Sequence, residues 1–222
     1  SPHSVPDQVV EVHGTPLAIP EPFFLPIDAV RDKLEELDPI IERTGKFWFR
    51  FLVERMHIGI DIALDVPDSA AEVDNLFNRS METQADAAGT WAGQHGGIAI
   101  HEGRMGDMVE SLESSAVGRE KQTIWNYSLA LALIARGDMD RANEVADGLE
   151  EPILDFMWLV CMQQYAEIGH QLERSDICEK ALAKLLPYRD RLGFIASGTL
   201  TYGLVSTSVG EAAFGCGQID LA

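Results

Sequence analysis

One short pattern recurs along this chain and limits what it can fold into. Arg136-Gly137-Asp138-Met139-Asp140-Arg141-Ala142 closes one helix with a glycine and caps the next with an aspartate. It also sets a small residue five places past the glycine. Gly217 to Ala222 repeats the arrangement, and Gly103 to Met108 is a weaker copy with Met108 in the small position. Around 173 the glycine is missing: Glu173 stands there, Ser175 and Asp176 are able to cap, and Cys178 supplies the small residue. Asp65 followed by Ala70 is the faintest copy. The turn positions 65, 103, 137, 173 and 217 lie 38, 34, 36 and 44 residues apart. Glycine at a helix stop provides the left-handed backbone that ends it, and a small residue lets two helices approach closely. Repetition at the length of one helix pair predicts stacked pairs, because each pair has an apolar side that it cannot cover alone.

The apolar period supports helices between those turns. Ile27, Val30, Leu34, Leu37 and Ile41 step by three and four, with Asp28 as a cap and Gly45 as a stop. A second helix is expected from about 46 to 64, with Trp48, Phe51, Leu52, Met56, Gly59 and Ala63 on its buried side. Ser69 and Glu72 have the spacing of a capping box. Further helices are expected near 69–83, 85–102, 105–115, 120–136, 138–150, 152–170, 174–186 and 195–216. Only Val9–Val12 looks strand-like. Six of the ten prolines fall at positions 2, 6, 16, 20, 22 and 26. Proline removes backbone donors, so residues 1–26 read as an extended Pro-rich arm or linker. Val9, Val10, Leu17, Ile19 and Phe23-Phe24-Leu25 are too apolar for a solvated tail, and predict that the arm docks on the body. The expected fold is all-α, a tetratricopeptide-like stack of antiparallel helix pairs (an α-solenoid) over residues 27–222, truncated at its C-terminal end.

Charge narrows the partners. Among 222 residues there are 36 Asp and Glu against 17 Lys and Arg, a formal charge of −19. Nucleic-acid affinity rests on clustered cations, so direct nucleic-acid binding and attraction to an anionic membrane are not expected. The three cysteines, Cys161, Cys178 and Cys216, have no CxxC spacing. That argues against a disulfide or zinc framework and fits a reducing, cytoplasmic setting. No basic-then-apolar leader opens the chain, and the weakly polar stretch 194–216 is too interrupted to span a membrane.

Two readings compete for the chemistry. Glu54-Arg55-Met56-His57 and Glu167-Ile168-Gly169-His170 are both E-x-x-H motifs. Di-iron carboxylate bundles use two such pairs, because i and i+3 share a helix face. A stand-alone di-iron enzyme is therefore the alternative function. Against it, Arg50, Glu54, His57 and Asp61 read as the polar face of an amphipathic helix, with Arg50–Glu54 and His57–Asp61 as surface pairs. Glu167 and His170 lie beside Gln163, Gln164 and Gln171, which reads as another wet face. His101-Glu102 lacks the second histidine of a zincin, since position 105 is Met105. Neither a GxxxxGK[ST] loop nor a G-x-S-x-G elbow occurs. Cys161 and Cys178 sit on apolar faces and read as core. No catalytic residue, metal ligand or cofactor is assigned. Trp125, Tyr127, Trp158, Tyr165 and Tyr202 fall on expected helices, where they either line a concave ligand groove or pack between helices.

Ala181-Leu182-Ala183-Lys184-Leu185-Leu186-Pro187-Tyr188-Arg189-Asp190-Arg191, the small-residue segment from Gly198 to Gly215, and Gly217 to Ala222 together carry a resemblance. They resemble the helical-repeat region of large bacterial multidomain signalling ATPases of the maltose-regulator-like and LuxR-type kinds, a repeat also found with class III adenylate cyclases. The resemblance covers roughly residues 30–222 and is strongest from about 120 onward. It departs at Glu173 and Met108, and residues 1–26 match nothing in the family. It implies a non-catalytic sensing or protein-interaction module of a bacterial cytosolic signalling or transcriptional regulator. The implied partners are a protein, peptide or small-molecule effector in a concave groove, other domains of a parent chain, and a second copy of itself.

Overall fold

A computed structural model describes residues 9–12, 15–18, 27–116, 123–195 and 198–221. Most of them are helical. In order, the helices are α1 (Ile27–Thr44), α2 (Phe47–Ala63), α3 (Ser69–Ser80), α4 (Ala87–His101), α5 (Val109–Ala116), α6 (Thr123–Arg136), α7 (Met139–Asp147), α8 (Trp158–Gln171), α9 (Ser175–Leu185) and α10 (Val205–Gly215). A 3-10 turn, Met105–Met108, leads into α5. Two antiparallel hairpins interrupt the all-helical expectation. The first joins β1 (Val9–Val12) to β2 (Thr15–Ala18), inside the segment expected to be an extended arm. The docking expected of Phe23-Phe24-Leu25 lies outside the described residues. The second joins β3 (Leu192–Phe194) to β4 (Thr201–Leu204).

All five turns marked in the sequence have one backbone geometry. The φ angles are 53° at Asp65, 67° at Gly103, 82° at Gly137, 54° at Glu173 and 76° at Gly217. At each, the next residue's N–H reaches back five positions: Val66 to Asp61 O, Arg104 to Ala99 O, Asp138 to Leu133 O, Arg174 to Gly169 O, Gln218 to Ala213 O, all within 2.7–2.9 Å. This Schellman closure satisfies carbonyls that a helix end would otherwise leave unpaired. Small residues then meet small residues. Ala142 and Cys178 are fully buried, and a Cβ on Gly169 would come within 3.0 Å of the Cys178 sulfur.

Helices adjacent in the chain pack on one another. Helix α1 packs on α2, α3 on α4, α6 on α7 and α8 on α9, while α2 touches α4, α6 touches α8 and α8 touches α10. The 3-10 turn at 105–108 sits between α4 and α6. Helix α2 serves several neighbours at once: Val53 and Ile60 join Val30 and Leu34 of α1, while Phe51, Ile58 and Ile62 join Val73 and Leu76 of α3. Its buried set is therefore wider than a single stripe, and Trp48, expected inside, is 51% exposed. The main core gathers Tyr127, Met162, Tyr165, Ile168, Ile177 and Leu185 from α6, α8 and α9. Among the described residues no helix is long and apolar enough to cross a membrane.

Three local expectations fail. The Ser69–Glu72 capping box does not form: Asp68 takes the N-cap position with φ 68°, and Ser69 Oγ donates to Val66 O at 2.7 Å. The helix expected over 195–216 begins only at Val205. Gly198 and Gly203 hold φ of 66° and 97°, and the β-favouring Thr199, Thr201 and Tyr202 surround them, so a hairpin replaces its first half. The expected helix over 152–170 likewise starts at Trp158.

Candidate functional site

Helices α2, α4, α6 and α8 each turn residues toward one cavity of about 680 Å³. Helix α4 contributes Gly89, Gly93 and Gly96, which its turn places on one face. Among the described residues nothing lies within 4 Å of where a side chain would begin at Gly89 or Gly96, so bare backbone borders open space. Helix α6 contributes Ile124, Trp125 and Ser128, and the segment before α8 adds Phe156 and Met157. One side is closed by the β3–β4 hairpin through Ile195, Thr199 and Leu200.

The hairpin reaches that position because small residues receive it. Gly198 O lies against Gly59 of α2 so closely that a Cβ there would collide with it. Leu200 fills the corresponding place at Gly97 of α4, and the Thr199 methyl is 3.5 Å from the Cβ position at Gly93. At its base, Gly193 rests on Gln163, whose Nε2 donates to Gly203 O at 3.4 Å and to Ser208 Oγ at 3.5 Å.

The polar groups of the cavity are few and deeply set. Arg55 is 6% exposed; its Nη1 donates to Asp86 Oδ2 at 2.6 Å and to Thr90 Oγ1 at 3.4 Å, and its guanidinium lies 5.4 Å from the Phe51 ring centre. Gln94 Nε2 donates to Arg55 O at 2.8 Å and so ties α4 to α2. Gln164 is 2% exposed and donates from Nε2 to Ser128 Oγ at 3.2 Å. Of these side chains, Arg55 Nε, Gln94 Oε1 and Gln164 Oε1 have no hydrogen-bond partner among the described residues, and all three atoms are closed off from solvent. Each such buried group costs about 1–3 kcal/mol while unmatched. Asp155, at the rim, is engaged as an acceptor for the Met157 N–H at 2.8 Å.

The structure brings one of the five proposed aromatics, Trp125, to the cavity wall. Tyr127 is fully buried, donates to Glu150 O, and meets Tyr165 edge-on at 5.8 Å between ring centres. Trp158 is half-buried against Tyr188. Tyr202 donates to Glu167. Those four pack between elements.

Glu167 and Glu211 form a second polar centre, on α8 and α10. Burial raises the Glu167 carboxyl, partly offset by the bond from Tyr202. Glu211 is pushed up to about 7 by burial and by the charge of Glu167. The same burial, with both carboxylates nearby, holds the Tyr202 phenol well above its ordinary range. The wet face expected around Glu167 is thus an interior one, with Gln163 and Gln164 inside it.

The first E-x-x-H pair is spent on neighbouring helices and not on its own. Glu54 pairs with Arg79 of α3 at 3.2 Å, His57 approaches Asp38 of α1 at 4.0 Å, and Asp61 pairs with Arg31 at 3.2 Å. Among the described residues no three His, Cys, Asp or Glu side chains are placed to hold a metal ion. Cys161 and Cys178 are buried. Arg55, Gln164, Ser128 and the hairpin were not singled out from sequence. The available signal was an arginine that stands off the polar face formed by Arg50, Glu54, His57 and Asp61, and a Gln-Gln pair in α8. No family model, no curated protein and no solved structure matches the chain.

Proposed function

We propose that this chain is a non-catalytic binding module, a tetratricopeptide-like stack of helix pairs whose concave side takes a small-molecule effector. The observation that carries the reading is the cavity of about 680 Å³, within the size range of ligand sites, whose wall sets Thr90, Ser128 and Gln164 among apolar side chains such as Ile100, Leu112, Trp125 and Leu200. The like turns inside the α6–α7 and α8–α9 pairs, and the contacts of α2 with α4, α6 with α8 and α8 with α10, support the stacked-pair reading. In such a stack the inner helices face a common groove. The resemblance of residues 181–191 and 198–222 supports placing the module in a bacterial cytosolic signalling or transcriptional regulator. There an occupied groove would alter packing against neighbouring domains.

The test is a fragment screen read on the indole N–H resonances of the uniformly labelled chain, with Trp125 assigned through Trp125→Phe. Fragments that bind are expected to move the Trp125 signal and leave that of exposed Trp48 in place. Fragments that bind elsewhere, with the Trp125 signal unmoved across a chemically diverse set, would sink the proposal.

A further inference from the structure

We infer that the turn joining α1 to α2 is a peripheral membrane anchor, which sinks its aromatic side chains into the surface of an anionic bilayer. The first observation is charge. From Ile40 to Arg50 the sequence holds one acid, Glu42, against Arg43, Lys46 and Arg50, in a chain whose acids number more than twice its bases. All three cations are exposed, and among the described residues none of their side chains has an ion-pair or hydrogen-bond partner. Glu54, which its spacing offers to Arg50, is taken by Arg79 of α3. Lys46 stands at the N-cap of α2, and no acid lies in the first turn of that helix. The local field therefore suits anions, such as the headgroups of acidic lipids.

The second observation is that the same turn carries three aromatics left out of the core. Phe47, Trp48 and Phe49 are each exposed over more than a third of their surface, and Trp48 meets Phe49 edge-on at 5.0 Å between ring centres. The buried face of α2 begins only at Phe51. Leu37 and Ile40 of α1 are exposed as well. An apolar patch rimmed by polar residues marks contact with a protein or a membrane. Shape decides between the two. Successive helical residues point about 100° apart, so the three rings fan through about 200° around the first turn of α2. A firm protein face covers one side of such a knob, whereas lipid closes around all of it. Trp is also at home at headgroup level, where its ring is apolar and its N–H stays wet.

The charge of −19 opposes approach to an anionic surface, but at physiological salt that field is screened beyond about 8 Å. Cations at the turn act within contact distance of the headgroups, and burial of the rings adds an attraction that salt does not screen.

The test is co-sedimentation of the full chain with phosphatidylcholine vesicles, with and without about one-third phosphatidylserine. Lipid brominated along its acyl chains adds a second readout, because bromine quenches a tryptophan only on contact. The chain is expected to bind the anionic vesicles alone, less tightly as salt rises, and to lose part of its emission. Trp48→Ala should weaken binding by about fivefold or more and abolish the quenching. Arg43→Gln, Lys46→Gln and Arg50→Gln should each weaken it about fivefold. All four side chains are exposed, so the variants keep the fold. Failure to sediment with anionic vesicles at low salt would overturn the proposal, and so would undiminished binding by all four variants. Sedimentation without quenching would leave the aromatics in water and overturn the insertion. Soluble polyglutamate that binds as tightly as the vesicles would assign the turn to an acidic protein segment and overturn the bilayer.

Discussion

At the turn between α8 and α9 the left-handed backbone falls on a glutamate, Glu173, with φ 54°. A side chain in that conformation is strained by about 1 kcal/mol, which glycine does not suffer. Glu173→Gly should therefore stabilise the chain by about 0.5–1 kcal/mol in urea melts, after the greater freedom of the unfolded glycine is subtracted. Gly137→Ala, at φ 82°, should move the midpoint the other way by about 1 kcal/mol. Glu211 makes a different prediction. Its folded carboxyl titrates at about 7 against an ordinary 4.5, so between those values the folded chain binds the extra proton. Stability should then fall as pH rises from about 4.5 to 7, by about 1–2 kcal/mol once solvent screening is allowed for. Glu211→Gln should flatten that fall, gaining stability at pH 8 and little at pH 5; parallel, undiminished pH curves for the two proteins would refute the assignment. At this scale the site was poorly legible. Arg55 and Gln164 sit among residues whose spacing suits either an outer or an inner polar face, and only the position of α4 and the hairpin decides between them. Trp125 was legible as an aromatic on a helix; its four companions were drawn into the core because neighbouring elements cover them.

The β3–β4 hairpin is the element that the helical period conceals. Its segment is rich in small and apolar residues, a composition that suits a packed helix as well as a strand pair, so periodicity does not separate the two. What distinguishes them is a pair of left-handed glycines and the place reserved at Gly59, and the latter lies far away in the chain. Apart from the late start of α8 at Trp158, the other helix bounds were legible to within a few residues because apolar spacing and stop signals coincide, as at Ile27–Thr44 followed by Gly45. Gly59→Ala should lift the hairpin tip from α2, since its methyl would meet the Gly198 carbonyl oxygen. Faster amide exchange through residues 200–204, with α8 and α9 still protected, is the expected result. Unchanged exchange there would mean that the tip docks without needing Gly59.

On the scale of the whole molecule, the charge of −19 acts against compactness. Exposed ion pairs such as Arg136–Glu110 are screened by solvent and do not offset it. Raising NaCl from about 20 to 200 mM shortens the screening length from about 20 to about 7 Å. The midpoint of thermal unfolding should rise by a few degrees, about 2–4 °C, in scanning calorimetry. For the proposed stack of helix pairs, the hairpin contact with α2 and α4 has one last implication. A row of units that touch only their neighbours behaves like a one-dimensional magnet, losing order from its ends inward. A bond thrown from the last units back to the first changes the dimensionality of that problem. Fraying at either end now breaks the closure as well, so the row should melt as a single block. The closure also asks distant parts of the chain to meet before it forms, which slows folding in exchange for that cooperativity.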